Sequence, residues 1–177
     1  LPEVETVKRG LEQKVSGFYI DEIEVLKERS IASHGGSQAF IRMMRGLRIG
    51  NWERRGKYLI ASLKKEDLNR STCSEKLDFA GWWGVHLRMT GQFQLHQTYC
   101  DPCTHTRVRF WDNKGVELRF VDTRNFGQMW WVPPNNSPHI VINGLNKLGP
   151  EPFSKSFNTS YLRKKLKGKS RSIKSAL

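Results

Sequence analysis

The sequence has 177 residues, a formal net charge of +13 and a pI near 10.0. No apolar run approaches the roughly 18 residues that a membrane helix needs, and Lys8, Arg9, Glu12 and Lys14 interrupt any apolar stretch near the start, so no secretory leader is expected. The excess of Lys and Arg predicts a polyanion partner, and 3 cysteines suit a reducing cytosol better than a disulfide scaffold.

In chain order, Leu1 to Lys14 reads as a helix. Leu1, Val4, Val7, Leu11 and Val15 recur at spacings of three and four; Glu3 and Glu5 suit the positive end of the dipole, and Gly17 marks a stop. Phe18 to Leu26 reads as a strand, with Ile23 and Val25 alternating with Glu22 and Glu24. Ser30 to Gly36 is a loop, and Ser37 is placed to cap a short helix carrying Phe40, Ile41 and Met44. Strand patterns follow at Leu47 to Ile49, Trp52 to Arg55, Tyr58 to Leu63, Phe79 to Leu87 and Gln92 to Leu95, with a polar loop containing Cys73 from Lys64 to Asp78. Thr106 to Asp122 is the clearest hairpin, turning at Asp112-Asn113-Lys114-Gly115, and Gln128 to Val132 is a last strand. Many short antiparallel strands argue for a β-sandwich or barrel.

Pro133-Pro134-Asn135-Asn136-Ser137-Pro138 breaks the pattern. The domain boundaries read as 1–132 for the β domain, 133–148 for a linker and 149–177 for the start of a helical domain. Asn158 is placed to cap a helix carrying Tyr161, Leu162 and Leu166. From Lys155 to Leu177 there are eight Lys or Arg and no Asp or Glu, and no stop signal marks the end.

Two stretches stand out. His86-Leu87-Arg88-Met89-Thr90-Gly91 and Asp122-Thr123-Arg124-Asn125-Phe126-Gly127 are both short turns closing on glycine. Each presents bulk where a solvent turn normally carries something small. Met89, Arg124 and Phe126 supply an apolar wedge, a flat cation and a flat ring, the pieces that replace stacking when a duplex is opened. Alternatively, Met89 and Phe126 are core residues and Arg124 a surface charge. Lys57, at a turn between two strands, can contact a phosphate or move a proton beside a sugar, or be a solvated lysine. His86 can donate to a phosphate or act as an acid or base, or be a structural strand histidine. Cys100 and Cys103, flanked by His96 and His105, offer four ligands for a tetrahedral zinc, or simply a tight turn around Asp101-Pro102. Phosphate-loop, HExxH and GxSxG motifs are missing, so kinase, dehydrogenase, zincin and lipase functions fall away.

These residues resemble a known family. Leu1-Pro2-Glu3-Val4-Glu5-Thr6-Val7, Lys57-Tyr58-Leu59, the two glycine-closed turns, Leu148-Gly149-Pro150-Glu151-Pro152 and Ile173-Lys174 occur in the same order in the bacterial formamidopyrimidine-DNA glycosylases. The resemblance implies an α+β fold: an antiparallel β-sandwich flanked by helices, then a helical domain with a helix–two-turn–helix and a zinc finger. It implies a monomeric, cytoplasmic, nucleoid-associated base-excision repair enzyme acting on damaged double-stranded DNA, with no membrane partner. Such an enzyme flips out 8-oxoguanine or a formamidopyrimidine. A proline amine attacks the sugar C1′, a Schiff base forms, and β- and δ-elimination nick the strand.

Carried over by position, the resemblance makes Lys57 catalytic and phosphate-contacting. It makes His86 and His105 DNA contacts, and Met89, Arg124 and Phe126 the fillers of the hole left by the flipped base. Lys169 and Lys174 fall in a basic DNA-facing stretch, and Glu3 near the active site. The family's opening Pro-Glu is not in this sequence, since Pro2-Glu3 matches its second Pro-Glu, so the chain as it stands is expected to be inactive. No metal is expected here, the family's zinc belonging to its C-terminal finger. The competing functions are a non-catalytic DNA-binding paralogue and a basic RNA-binding protein.

Overall fold

The structure, a computed structural model, describes residues 2–66, 77–170 and 172. Cys73 and Lys174 lie outside the described residues. Helix α1 (Pro2–Val15) follows the predicted stripe, burying Val4, Leu11 and Val15. Lys8–Glu12 and Glu5–Arg9 pairs at 2.6 and 3.2 Å lace its outer face, each worth a few tenths of a kcal/mol.

Strand β1 (Glu22–Val25) is shorter than the Phe18–Leu26 run suggested. The chain changes sheets here. The Ile20 N–H donates to Leu47 O at 2.9 Å, whereas the Asp21 N–H donates to Trp111 O at 2.9 Å on the other sheet. A single 3-10 turn (Glu28–Ser30) leads to α2 (Gly36–Met44), which buries Phe40 and Met44. Ser37 is not the cap of this helix. Gly35, at φ 83°, takes the N-cap position, and the buried Ser37 hydroxyl donates to Glu28 Oε1 at 2.6 Å instead.

The strands β2 (Arg48–Arg55), β3 (Tyr58–Glu66), β4 (Leu77–His86), β5 (Gly91–His96), β6 (Thr106–Trp111), β7 (Glu117–Asp122) and β8 (Gln128–Val132) complete two four-stranded antiparallel sheets, ordered β1-β6-β7-β5 and β2-β3-β4-β8. Strands β3 and β4 reach further into the charged 64–78 stretch than its polarity suggested. Between the sheets sits an aromatic core. Trp83 lies 5.5 Å from Trp52, 4.8 Å from Phe110 and 5.7 Å from Phe93, with Phe93 5.4 Å from Phe120. Truncating one such buried ring costs about 3–5 kcal/mol.

The hairpin alternation is obeyed inside but not outside. Glu117 and Arg119 point away from this core, yet both are buried. Glu117 Oε1 receives Arg109 and Arg119, each at 2.6 Å, and Arg119 donates to Asp101 O at 3.1 Å in the loop that covers them. On the far face of the second sheet, α3 (Pro138–Val141) and α4 (Asn143–Asn146) are joined at Ile142, and Ile142 with Leu145 of α4 packs against Tyr58, Ile60 and Val132. Helix α5 (Thr159–Leu166) is capped by Asn158, whose Oδ1 accepts the Tyr161 N–H at 3.0 Å.

Candidate nucleic-acid interface

Strand pairing brings three turns to one end of the sandwich. His86 pairs with Tyr58 on one side and Gln128 on the other, and Gly91 pairs with Asp122. The turns after β2, β4 and β7 therefore lie together, although they are far apart in sequence.

Asp122 knots two of them. Its side chain is 1% exposed and accepts the Thr90 hydroxyl, the Phe126 N–H at 2.8 Å and the Gly127 N–H at 2.7 Å. Thr90 Oγ1 in turn accepts the Arg124 N–H at 3.1 Å. Burial pushes the Asp122 carboxyl up, but these donors outweigh it and hold it below its ordinary value. The closing glycines are needed for space rather than for a positive φ. A Cβ on Gly127 would sit 2.5 Å from Phe120 Cζ, and one on Gly91 would sit 2.9 Å from the same atom. The backbone strain sits beside the wedge residues: Arg88 and Asn125 both have φ of 56°, a region non-glycine residues rarely enter.

The turns enclose a cleft of about 610 Å³. Five predicted residues meet in its wall: Lys57, His86, Met89, Arg124 and Phe126. Met89 is 68% exposed and Phe126 40%, so neither is a core residue. Sequence reasoning passed over Arg29, Arg88 and Gln128, which also line the cleft. Among the described residues the wall thus carries four cations and no carboxylate, a surface suited to a polyanion. Arg124 and Arg29 place their guanidinium carbons 5.2 and 5.3 Å from the Phe126 ring centre. Both cations lie within cation–π reach of this exposed ring. Nothing local in the sequence marks Arg29, whereas Asp122 could have been found from its position: an Asp opening a tight turn is the usual acceptor for N–H groups just ahead.

His86 is 7% exposed, and its pKa is lowered to about 4, first by burial and then by the Arg88 and Lys57 charges. Its Nδ1 accepts the Arg88 N–H at 3.1 Å, so the proton sits on Nε2. The ring is a neutral hydrogen-bond donor at physiological pH, matched to a phosphate oxygen rather than to proton relay. It packs in a T-shaped contact with the Tyr58 ring, the centroids 4.2 Å apart.

Lys57 is held from a distance. The Gly56 N–H donates to Glu151 Oε1 at 2.9 Å, and Glu151 also takes Arg55 at 3.0 Å and Arg54 at 3.3 Å. Arg54 continues to Glu5 at 2.9 Å. Leu148 covers the turn, 3.0 Å from where a Gly56 Cβ would be. This is the physical use of the Leu148–Pro152 motif: it clamps the lysine turn.

Of the other predicted residues, Glu3, His105 and Lys169 lie outside the cleft wall. Glu3 is exposed in the first turn of α1; a hydrogen bond from its own backbone N–H lowers its pKa most, and the Lys57 charge adds to this. His105 is exposed and lends its carbonyl to the Asp122 N–H at 2.9 Å. Lys169 is exposed just beyond α5. No helix among the described residues is long and apolar enough to cross a membrane.

Comparison with known proteins decides the family. The formamidopyrimidine-DNA glycosylase N-terminal domain matches residues 1–129. The chain belongs to the formamidopyrimidine-DNA glycosylase family. A formamidopyrimidine-DNA glycosylase of Prochlorococcus marinus strain MIT 9313 is 62% identical over 177 residues, which is all of this chain and 61% of that relative. One from Parasynechococcus marenigrum is 55% identical and is covered over 59% of its length. The chain thus spans about three fifths of the curated relatives it matches. Among solved structures, a Lactococcus lactis member of the family in complex with a FAPY-dG-containing DNA superposes with a TM-score of 0.79 at 27% identity. The match covers 98% of this chain and 58% of that one. The same protein with an abasic-site DNA gives 0.79 at 28% identity, covering 99% and 58%.

The zinc that the family resemblance implies finds no seat among the described residues. Cys100 and Cys103 are exposed, and no three His, Cys, Asp or Glu side chains converge. No chemical step below depends on a metal.

Proposed function

We propose that this chain forms the lesion-recognising part of a base-excision DNA glycosylase and AP lyase for oxidised purines. The observation that carries this is the placement of exposed Met89, Arg124 and Phe126 on one knotted pair of turns, beside Lys57 and His86. In a duplex opened at a lesion, Met89 fills the gap left by the extruded nucleotide, Phe126 stacks on the neighbouring bases, and Arg124 faces the orphaned partner. The His86 Nε2–H and the Lys57 ammonium hold the phosphates that flank the displaced sugar.

The reaction implied by the resemblance starts when a secondary amine attacks C1′ and the oxidised base leaves. The resulting iminium acidifies the C2′ proton, so elimination of the 3′ phosphate follows. In this reading Lys57 favours the anionic leaving groups by its charge. The FAPY-dG-containing and abasic-site DNA held by the Lactococcus lactis protein are the substrates assigned here by kinship. The test is borohydride trapping on a duplex carrying 8-oxoguanine opposite cytosine, with this chain joined to the flanking lengths its relatives have. A covalent adduct is expected; no adduct overturns the enzymatic assignment.

A further inference from the structure

The loop between β5 and β6 carries Cys100-Asp101-Pro102-Cys103, which the DNA-binding face does not use. It is a held turn. Arg119, itself 2% exposed, donates to Cys100 O and, at 3.1 Å, to Asp101 O. Pro102 fixes its own φ, and the Thr106 N–H donates to Cys103 O at 2.9 Å. Both thiols face solvent.

Each thiol has a different partner. Cys100 Sγ lies 3.1 Å from His96 Nδ1. With the ring proton on Nε2, which has no hydrogen-bond partner among the described residues, Nδ1 accepts the Cys100 S–H. Cys103 Sγ lies 3.5 Å from the Thr106 hydroxyl. That hydroxyl, followed by the His105 backbone N–H, holds the Cys103 thiol below the ordinary thiol range. One sulfur is thus primed to attack, and the other sits beside a base.

We propose that Cys100 and Cys103 are a redox-active pair that closes to an intramolecular disulfide when it meets hydrogen peroxide. The Cys103 thiolate attacks the outer peroxide oxygen, the O–O bond breaks, and the second oxygen leaves as water, giving a sulfenic acid on Cys103. Cys100 loses its proton to His96 and attacks the Cys103 sulfur. The S–S bond forms, the S–O bond breaks, and the oxygen leaves as water with the proton returned by His96. Two thiols and one hydrogen peroxide become one disulfide and two waters. A dithiol reductant reverses the closure. The staple would lie just before His105, whose carbonyl holds Asp122, so it sits at the border of the DNA-facing turns.

The experiment treats the protein with equimolar hydrogen peroxide, blocks the remaining thiols with N-ethylmaleimide, and maps the peptides by mass spectrometry. A single peptide is expected in which Cys100 and Cys103 are both unblocked and two hydrogens are lost, with Cys73 alkylated; dithiothreitol should restore both thiols. Cys100→Ser should stop at a Cys103 sulfenic acid trapped by dimedone. His96→Gln should lengthen the life of that sulfenic acid without slowing its formation. Alkylation of both Cys100 and Cys103 after peroxide, or pairing of either with Cys73, overturns the proposal. So does unchanged dimedone trapping between the unaltered protein and Cys100→Ser.

Discussion

His86 makes stability rise with pH between about 4 and 6.5. An unfolded histidine has a pKa of about 6.5, and the folded ring is held at about 4 by burial and two cations. The folded pKa is depressed, so the unfolded chain binds more protons below pH 6.5. The contribution is fully present above that value and is lost as pH falls toward 4. At 1.36 kcal/mol per unit, the whole shift amounts to roughly 3 kcal/mol. Between pH 7.5 and 5.0 the loss is about 2 kcal/mol, a figure nearly the same for any folded value below 5. Asp122, Glu117 and Glu151 have lowered pKa values, so their contributions are lost below the ordinary carboxylate range and leave this window to His86. Urea unfolding at the two pH values, for the unaltered protein and His86→Asn, isolates the effect. Asn keeps an acceptor for the Arg88 N–H but does not titrate. The unaltered protein should lose about 2 kcal/mol more than the variant. Equal losses would show that His86 is protonated normally and that the neutral-donor assignment is wrong.

Asp122→Asn should destabilise the fold by about 2 kcal/mol, because an NH₂ replaces one of two oxygens that together receive three donors; the urea midpoint reads this. Gly127→Ala forces a methyl to 2.5 Å from Phe120 Cζ and should cost about 1–3 kcal/mol by the same assay. Lys57→Ala should lower the slope of log affinity against log salt for duplex DNA by about 1, if its ammonium neutralises one phosphate. Glu151→Gln should weaken DNA binding while leaving thermal unfolding within about 1 kcal/mol of the parent, since the Arg54 and Arg55 pairs it weakens are partly exposed.

What could be read in the sequence was local. Met89, Arg124 and Phe126 were conspicuous because bulky side chains on glycine-closed turns serve no turning purpose. The α1 stripe, the 106–122 hairpin and the Asn158 cap each follow from patterns a few residues long. What escaped was made by distant contacts. Glu151 meets Gly56 across 95 residues, and no periodicity encodes that meeting. Glu117 and Arg119 alternate like solvent-facing residues but are covered by the cysteine loop. Ser37 looked like a cap, but a glycine at positive φ took that place and freed its hydroxyl for Glu28. The strand expected from Phe18 onward was divided because hydrogen bonding passes from one sheet to the other at Asp21. Arg29 reaches the cleft from a turn whose sequence is merely charged.

The central claim is that Met89 fills the space a missing base leaves, with Phe126 stacked on the neighbouring bases and Arg124 facing the orphaned partner. The most direct measurement is the affinity of this chain, at one fixed salt concentration, for a duplex with a tetrahydrofuran abasic site and for the same duplex intact. The unaltered chain should prefer the abasic duplex, and Met89→Ala with Phe126→Ala together should erase about tenfold or more of that preference, because stacking on the single Phe126 ring is worth about 1–3 kcal/mol per base. The salt dependence, set by the cations, should stay unchanged. A preference that survives the double substitution, or one that was never present, would contradict the account.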